Sequence, residues 1–220
     1  PFTNYRARLA AEAQLLASAG YVVLYTNPRG STSYGQAFAD LIHHKFPADG
    51  YHDLLAGVDH VVAQGYIDQE KLFVTGGSAG GTLASWLIGK TDRFAAAVVV
   101  KPVINWTSQV MYSDIGEYIA KHWFGKTPWQ APLEYWHRSP LSLVPNVKTP
   151  TMLLTGEVDY RTPMAETEQY YQALKINGVE TAMVRIPGAS HGITSRPSNL
   201  ITKTEHVIKW FDRFAKPNSN

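Results

Sequence analysis

The sequence of 220 residues contains no cysteine. That single absence removes thiol nucleophiles, disulfides and cysteine-ligated zinc together. No apolar run approaches the ~18 residues that a membrane span requires, so no membrane partner is expected. The opening residues, Pro1-Phe2-Thr3-Asn4-Tyr5-Arg6, lack an initiator methionine and the basic, apolar and small-residue order of a secretory leader. Excess charge is missing too: 20 basic against 18 acidic residues leave a net charge of +2. Such a weak field recruits no nucleic acid. Linkers, internal repeats and low-complexity segments are also lacking, so one domain is expected over residues 1–220. What remains is ordinary globular material, 45% hydrophobic and 17% charged. A chain this long buries about 70% of its unfolded surface and needs no disulfide or metal to hold it together. Composition leaves open both the compartment, cytoplasm or periplasm, and a homo-oligomeric state.

Hydrophobic periodicity alternates between helix and strand along the whole chain. A helix is expected over 6–19, stopped by Gly20, and a short buried strand over Tyr21-Val22-Val23-Leu24-Tyr25. Residues 28–35 read as loop, and residues 51–64 as a helix with Leu54, Leu55, Val58, Val61 and Val62 on one stripe. A strand follows over 71–75, a tight turn over Gly76–Gly81 and a small-residue helix over 82–89. Residues 95–100 form a wholly apolar strand, and residues 105–145 are aromatic-rich and irregular, with short helices at best. Strand 151–155, helix 164–176, strand 182–186 and an amphipathic helix over 199–214 complete the chain. Five strands alternating with helices imply an α/β fold, a parallel sheet covered on both faces.

The sharpest local signal is Gly76-Gly77-Ser78-Ala79-Gly80, a G-x-S-x-G between a strand and a helix. This is the setting of a nucleophile elbow, where the serine sits on a strained turn with its hydroxyl pushed outward. Glycines two residues either side are expected because bulk there would collide with neighbouring backbone. A nucleophilic serine needs a base, and the base needs an orienting carboxylate, in the chain order Ser, acid, His. His191 qualifies as base because it follows strand 182–186, at the strand-end edge where open α/β sheets bind ligands. His43, His44, His52 and His60 precede the serine, His122 and His137 precede the acid, and His206 lies inside the terminal helix. The acid is Asp159 or Glu157, both after strand 151–155; Asp159 is favoured because Glu157 sits nearer the strand end. No spaced set of histidines and carboxylates suggests a metal, and no cofactor is expected.

Three motifs in this order, Gly76-Gly77-Ser78-Ala79-Gly80-Gly81, Gly156-Glu157-Val158-Asp159-Tyr160-Arg161-Thr162-Pro163 and Ser190-His191-Gly192, resemble the prolyl oligopeptidase (S9) family of serine peptidases. The likeness is to its acylaminoacyl-peptidase and dipeptidyl-peptidase-like branches. Asn27-Pro28-Arg29-Gly30-Ser31-Thr32-Ser33-Tyr34-Gly35, Tyr51-His52-Asp53-Leu54 and Trp123-Phe124-Gly125 support it. The resemblance implies an α/β-hydrolase fold, with Ser78 as nucleophile, Asp159 rather than Glu157 as orienting acid and His191 as general base. It further implies an oxyanion donor at the Ala79 N–H, and an apolar wall for the substrate side chain at Val103 and Trp106. Two features of the family are not found: a propeller that gates access, and the His-Gly-Gly-Pro-like or Tyr-bearing segment that supplies a second oxyanion donor, of which Pro1 would be the last residue. The family's hydrolase domain has eight strands against five here. The expectation is therefore that N-terminal strands are missing and that an upstream part of the same polypeptide supplies them. The implied function is hydrolysis of short peptides, of dipeptidyl- or acylaminoacyl-peptidase type, through a Ser-Asp-His triad and an acyl-enzyme. A carboxylesterase is the alternative within the fold, and a non-catalytic binding module the alternative outside catalysis.

Overall fold

The computed structural model describes residues 10–47 and 49–215. Helix α1 (Ala11–Ser18) ends where Gly20 takes a left-handed φ of 93°. The first part of the expected 6–19 helix, like Pro1, lies outside the described residues. A short α2 (Gln36–Ala39) precedes α3 (Gly50–Val62), and strand β1 (Phe73–Gly77) leads through Ser78 alone into α4 (Ala79–Ile88). After β2 (Ala96–Val100) come the short helices α5 (Trp106–Tyr112), α6 (Gly116–Ile119) and α7 (Pro132–His137). Strand β3 (Thr151–Gly156), α8 (Met164–Ile176), β4 (Thr181–Ile186) and α9 (Pro197–Ala215) follow.

The four strands form one parallel sheet in the order β1-β2-β3-β4, in register through Val74↔Ala97, Val99↔Leu153 and Leu153↔Met183. Because side chains alternate along a strand, each strand feeds two cores. Ala97, Val99 and Leu153 face α4 and α8 with Leu87, Ile88, Tyr170 and Leu174. Ala96, Val98, Val100 and Leu154 face α9 with Val207, Trp210 and Phe211. Those three residues of α9 recur at the three- and four-residue spacing that places them on one stripe.

Among the described residues, the sequence expectation of five strands is corrected to four. Residues 21–25 join no sheet among the described residues, although their β-branched and aromatic pattern is that of a buried strand. The pattern reports burial, whereas a strand also needs a neighbouring backbone to pair with. Tyr21 packs edge-on against Phe73 of β1, with ring centroids 5.8 Å apart, while Val22, Leu24 and Tyr25 remain 58%, 42% and 47% exposed. The start of β1 moves from 71 to 73 because the Asp68 side chain accepts from the Glu70 N–H and caps a 3₁₀ turn over Gln69–Lys71. The expected Gly76–Gly81 turn likewise shrinks to Ser78, since β1 runs through Gly77 and α4 begins at Ala79. The loop after residue 28 is tied to α3 by Arg29, whose guanidinium donates to both Asp53 oxygens at 2.7 and 2.9 Å.

Candidate active site

Each candidate residue stands just beyond the carboxyl end of a strand: Ser78 after β1, Asp159 after β3 and His191 after β4. Ser78 has φ 59° and ψ −122°, a left-handed conformation that costs a non-glycine residue about 1–3 kcal/mol. Its N–H donates to the Val100 carbonyl at 3.0 Å and its carbonyl accepts from the Thr82 N–H, so the strained turn is held on both sides. A Cβ on Gly76 would lie 2.3 Å from the Gly80 carbonyl oxygen, so the elbow needs a glycine there. At Gly80 an added Cβ would meet nothing within 4 Å. The expectation that both flanking glycines avoid collision therefore holds for Gly76 and is corrected for Gly80.

The acid and base loops are drawn together by backbone hydrogen bonds. Val158 N–H donates to the Ala189 carbonyl at 3.0 Å and Glu157 N–H to the Ile186 carbonyl at 3.1 Å. A side chain at Gly156 would strike the Ala189 carbonyl at 2.2 Å, so this approach also requires a glycine. His191 Nδ1 lies 2.8 Å from Asp159 Oδ2, and His191 Nε2 lies 3.1 Å from Ser78 Oγ. Asp159 is fully buried at its side chain and accepts further bonds from the N–H groups of Arg161 and Thr162, each at 2.9 Å, and from the Thr162 hydroxyl at 3.2 Å. Burial pushes its carboxyl up, but the bonds from His191 and Thr162, the His191 charge and the Arg161 N–H together outweigh that and hold it below the ordinary 3.8. An ionised carboxylate can only accept, so Nδ1 carries the ring proton and Nε2 is left free to accept from the Ser78 hydroxyl. Glu157, the competing acid, is directed away, with its carboxylate 4.0 Å from Arg185 and 41% exposed.

Ala79 is the first residue of α4, where a backbone N–H has no acceptor inside the helix. Beside Ser78 opens an apolar cavity walled by Phe46, Val103, Trp106, Ile115, Ile119 and Trp123. The two wall positions named from the sequence, Val103 and Trp106, are therefore both cavity residues. Trp106 is also core, with its indole N–H donating to the Arg138 carbonyl at 2.8 Å. Buried Arg138 in turn donates to the carbonyls of Phe46 at 2.9 Å and Trp123 at 3.0 Å, pinning two distant wall segments to one guanidinium.

Sequence reasoning missed three supporting groups. Thr162 was visible in the Asp-x-x-Thr spacing, the only one of the three with a local signal. Lys101, at a left-handed φ of 41° after β2, donates from its ammonium to the His191 carbonyl at 2.5 Å, and burial lowers its pKa. Buried Glu166 of α8 accepts from the N–H groups of Ile104 and Asn105, both at 2.8 Å, and so fixes the Val103–Trp106 wall. Burial raises its pKa against those bonds. Among the described residues, no three histidines or carboxylates gather as a metal site; the His43 and His44 rings pack tilted against each other, 3.9 Å apart, and His44 Nδ1 lies 3.2 Å from the Trp123 carbonyl.

Serine, acid and histidine in that chain order, beyond the carboxyl ends of β1, β3 and β4 of a parallel sheet, are the arrangement of the α/β-hydrolase class. The profile of the Prolyl oligopeptidase family matches residues 7–218, and the chain belongs to that family, the S9 peptidases. It is 40% identical over 205 residues to the uncharacterized peptidase YuxL of Bacillus subtilis (strain 168), covering 92% of this chain and 31% of that protein. The acylaminoacyl peptidase of Pyrococcus horikoshii superposes with a TM-score of 0.88 at 29% identity, over 95% of this chain and 35% of its own. An acylaminoacyl peptidase in complex with Z-Gly-Gly-Phe-chloromethyl ketone gives the same TM-score of 0.88 at 30% identity, with 95% and 35% covered. The chain thus spans about a third of the length of these relatives.

Proposed function

We propose that this chain carries the active site of a serine peptidase that cleaves short peptides, releasing an acylamino acid or dipeptide from the amino end. The observation that carries this reading is the unbroken series Asp159–His191–Ser78, at 2.8 and 3.1 Å, opening beside an apolar cavity. In this reading Ser78 Oγ attacks the scissile carbonyl while His191 Nε2 takes its proton. The tetrahedral oxyanion that forms is stabilised by the Ala79 N–H. Asp159, held ionised, keeps the imidazole in the accepting tautomer and stabilises the imidazolium. That imidazolium then protonates the leaving amine. Water attacks the acyl-Ser78 ester with His191 again as base, and the acid is released. Val103 and Trp106 receive the side chain on the acyl side of the cleaved bond.

Relatives named acylaminoacyl peptidase, one of them bound to a peptidyl chloromethyl ketone ending in phenylalanine, support the substrate class. We further propose that residues 1–220 are one catalytic domain working within a longer polypeptide, consistent with the third of its relatives that it spans. The test compares kcat/KM of the full-length protein on an N-acetylated peptide amide, a free dipeptidyl amide and the matching ester. Turnover of either amide, lost in Ser78→Ala, is the expected result; turnover of the ester alone would make the protein a carboxylesterase.

A further inference from the structure

The wall of the cavity beside Ser78 is apolar except at a few places, and one of these is chemically incomplete. Gln109 of α5 lines the cavity and is 1% exposed. Its Nε2 donates to the Arg161 carbonyl at 2.7 Å, which fixes the orientation of the amide, since a reversed amide would set its oxygen against that carbonyl. Its Oε1 is buried with no hydrogen-bond partner. Among the described residues, it is the only such buried polar atom on a side chain that lines this cavity. Buried acceptors without a donor are uncommon because their desolvation goes uncompensated.

We propose that Gln109 determines specificity, its Oε1 accepting a hydrogen bond from a donor at the tip of the substrate side chain that fills the cavity. This rests on the peptidase reading above and deepens it: the preferred residue on the acyl side of the cleaved bond is tyrosine. A tyrosine ring presents a flat apolar body to Phe46, Trp106 and Trp123 and carries one O–H donor beyond it. Phenylalanine fills the same walls but leaves Oε1 unpaired. Lysine and arginine bring donors as well, yet among the described residues no carboxylate lines the cavity to balance their charge, and Arg161 lines it instead. A site built around a substrate hydroxyl discriminates against the analogue lacking it, because its own polar group is then stranded.

The test measures kcat/KM of the full-length protein on N-acyl peptides carrying tyrosine, O-methyltyrosine, phenylalanine or alanine at that position. Tyrosine should exceed both phenylalanine and O-methyltyrosine by about tenfold, the scale of one neutral hydrogen bond. In Gln109→Met the tyrosine-to-phenylalanine ratio should fall to about one, and a ratio is insensitive to a general loss of activity. Ser113 Oγ still donates to the Arg161 carbonyl, at 2.8 Å, when Gln109 is replaced. Should the variant fail to fold, the wild-type series decides by itself, because O-methyltyrosine keeps the ring and loses only the donor. Phenylalanine or O-methyltyrosine turned over as well as tyrosine, or a ratio unchanged in Gln109→Met, would overturn the proposal while leaving the peptidase reading intact. No turnover of any peptide would overturn both.

Discussion

His191 can relieve Ser78 of a proton only through Nε2, and Nε2 is free only because Asp159 occupies the other ring nitrogen. Replacing Asp159 by asparagine reverses that preference, since an amide N–H can donate to Nδ1 and push the ring proton to Nε2. Asp159→Asn should therefore lower kcat by about 10⁴, measured as initial rates on the best peptide substrate. The same residue ties stability to pH. Its carboxyl titrates below the ordinary 3.8, so its ionised form contributes stability that is complete above that value and lost as pH falls through the lower, folded value. The urea midpoint of wild type should consequently drop more steeply than that of Asp159→Asn between pH 5 and pH 2, and parallel curves would contradict the assignment. Ser78, Asp159 and His191 were legible in the sequence because each follows a strand within a short glycine-bearing motif. The cavity walls from Phe46, Ile115 and Trp123 were not, since they arrive from separate segments and meet only in the folded chain, where the Phe46 and Trp123 rings pack edge-on 5.7 Å apart and Arg138 bonds both of their carbonyls. Lys101 and Glu166 carry no local signal at all, because their partners are backbone groups 90 and about 60 residues away in sequence.

The element that matters most is the passage from β1 through Ser78 into α4, where a strand turns into a helix across one residue. The structure separates its glycines. Gly76→Ala drives a Cβ to within 2.3 Å of the Gly80 carbonyl, a fixed backbone atom, so the elbow must shift. Backbone displacement of that kind costs several kcal/mol by comparison with other strained substitutions, about 1–3 for overpacking alone. Gly80→Ala enters open space on a helix, where alanine is favoured over glycine by about 0.5–1 kcal/mol. Thermal denaturation should then show Tm falling in Gly76→Ala and holding or rising in Gly80→Ala. Equal losses in both would mean that the elbow is not packed as described. Helix α8 was read to its residue bounds from the sequence, since Pro163 opens it and Asn177-Gly178 closes it with Gly178 at φ 75°. Residues 21–25 were misread because a strand is a property of two backbones, and one sequence segment reports only its own.

At the scale of the molecule, the sheet carries its chemistry on one edge of its strand ends and an exposed apolar segment beside β1. Among the described residues the outer side of β1 has no strand partner, and Val22 and Leu24, 58% and 42% exposed, lie next to it. Such an edge invites association with another chain unless it is covered. Residues 1–220 expressed alone should therefore form oligomers or precipitate, and a polypeptide extended upstream of Pro1 should remain monodisperse and far more active. Light scattering and peptide turnover on the two preparations test this, and a monodisperse, fully active 220-residue protein would contradict it. The proposed mechanism requires Ser78 to be an activated nucleophile, and reaction with a fluorophosphonate probe measures that directly. In the full-length protein, mass spectrometry should place one adduct on Ser78, with labelling at least 10²-fold slower in His191→Ala, the lower end of general-base contributions of about 10²–10⁴. An unlabelled Ser78, or labelling at the same rate without His191, would contradict it.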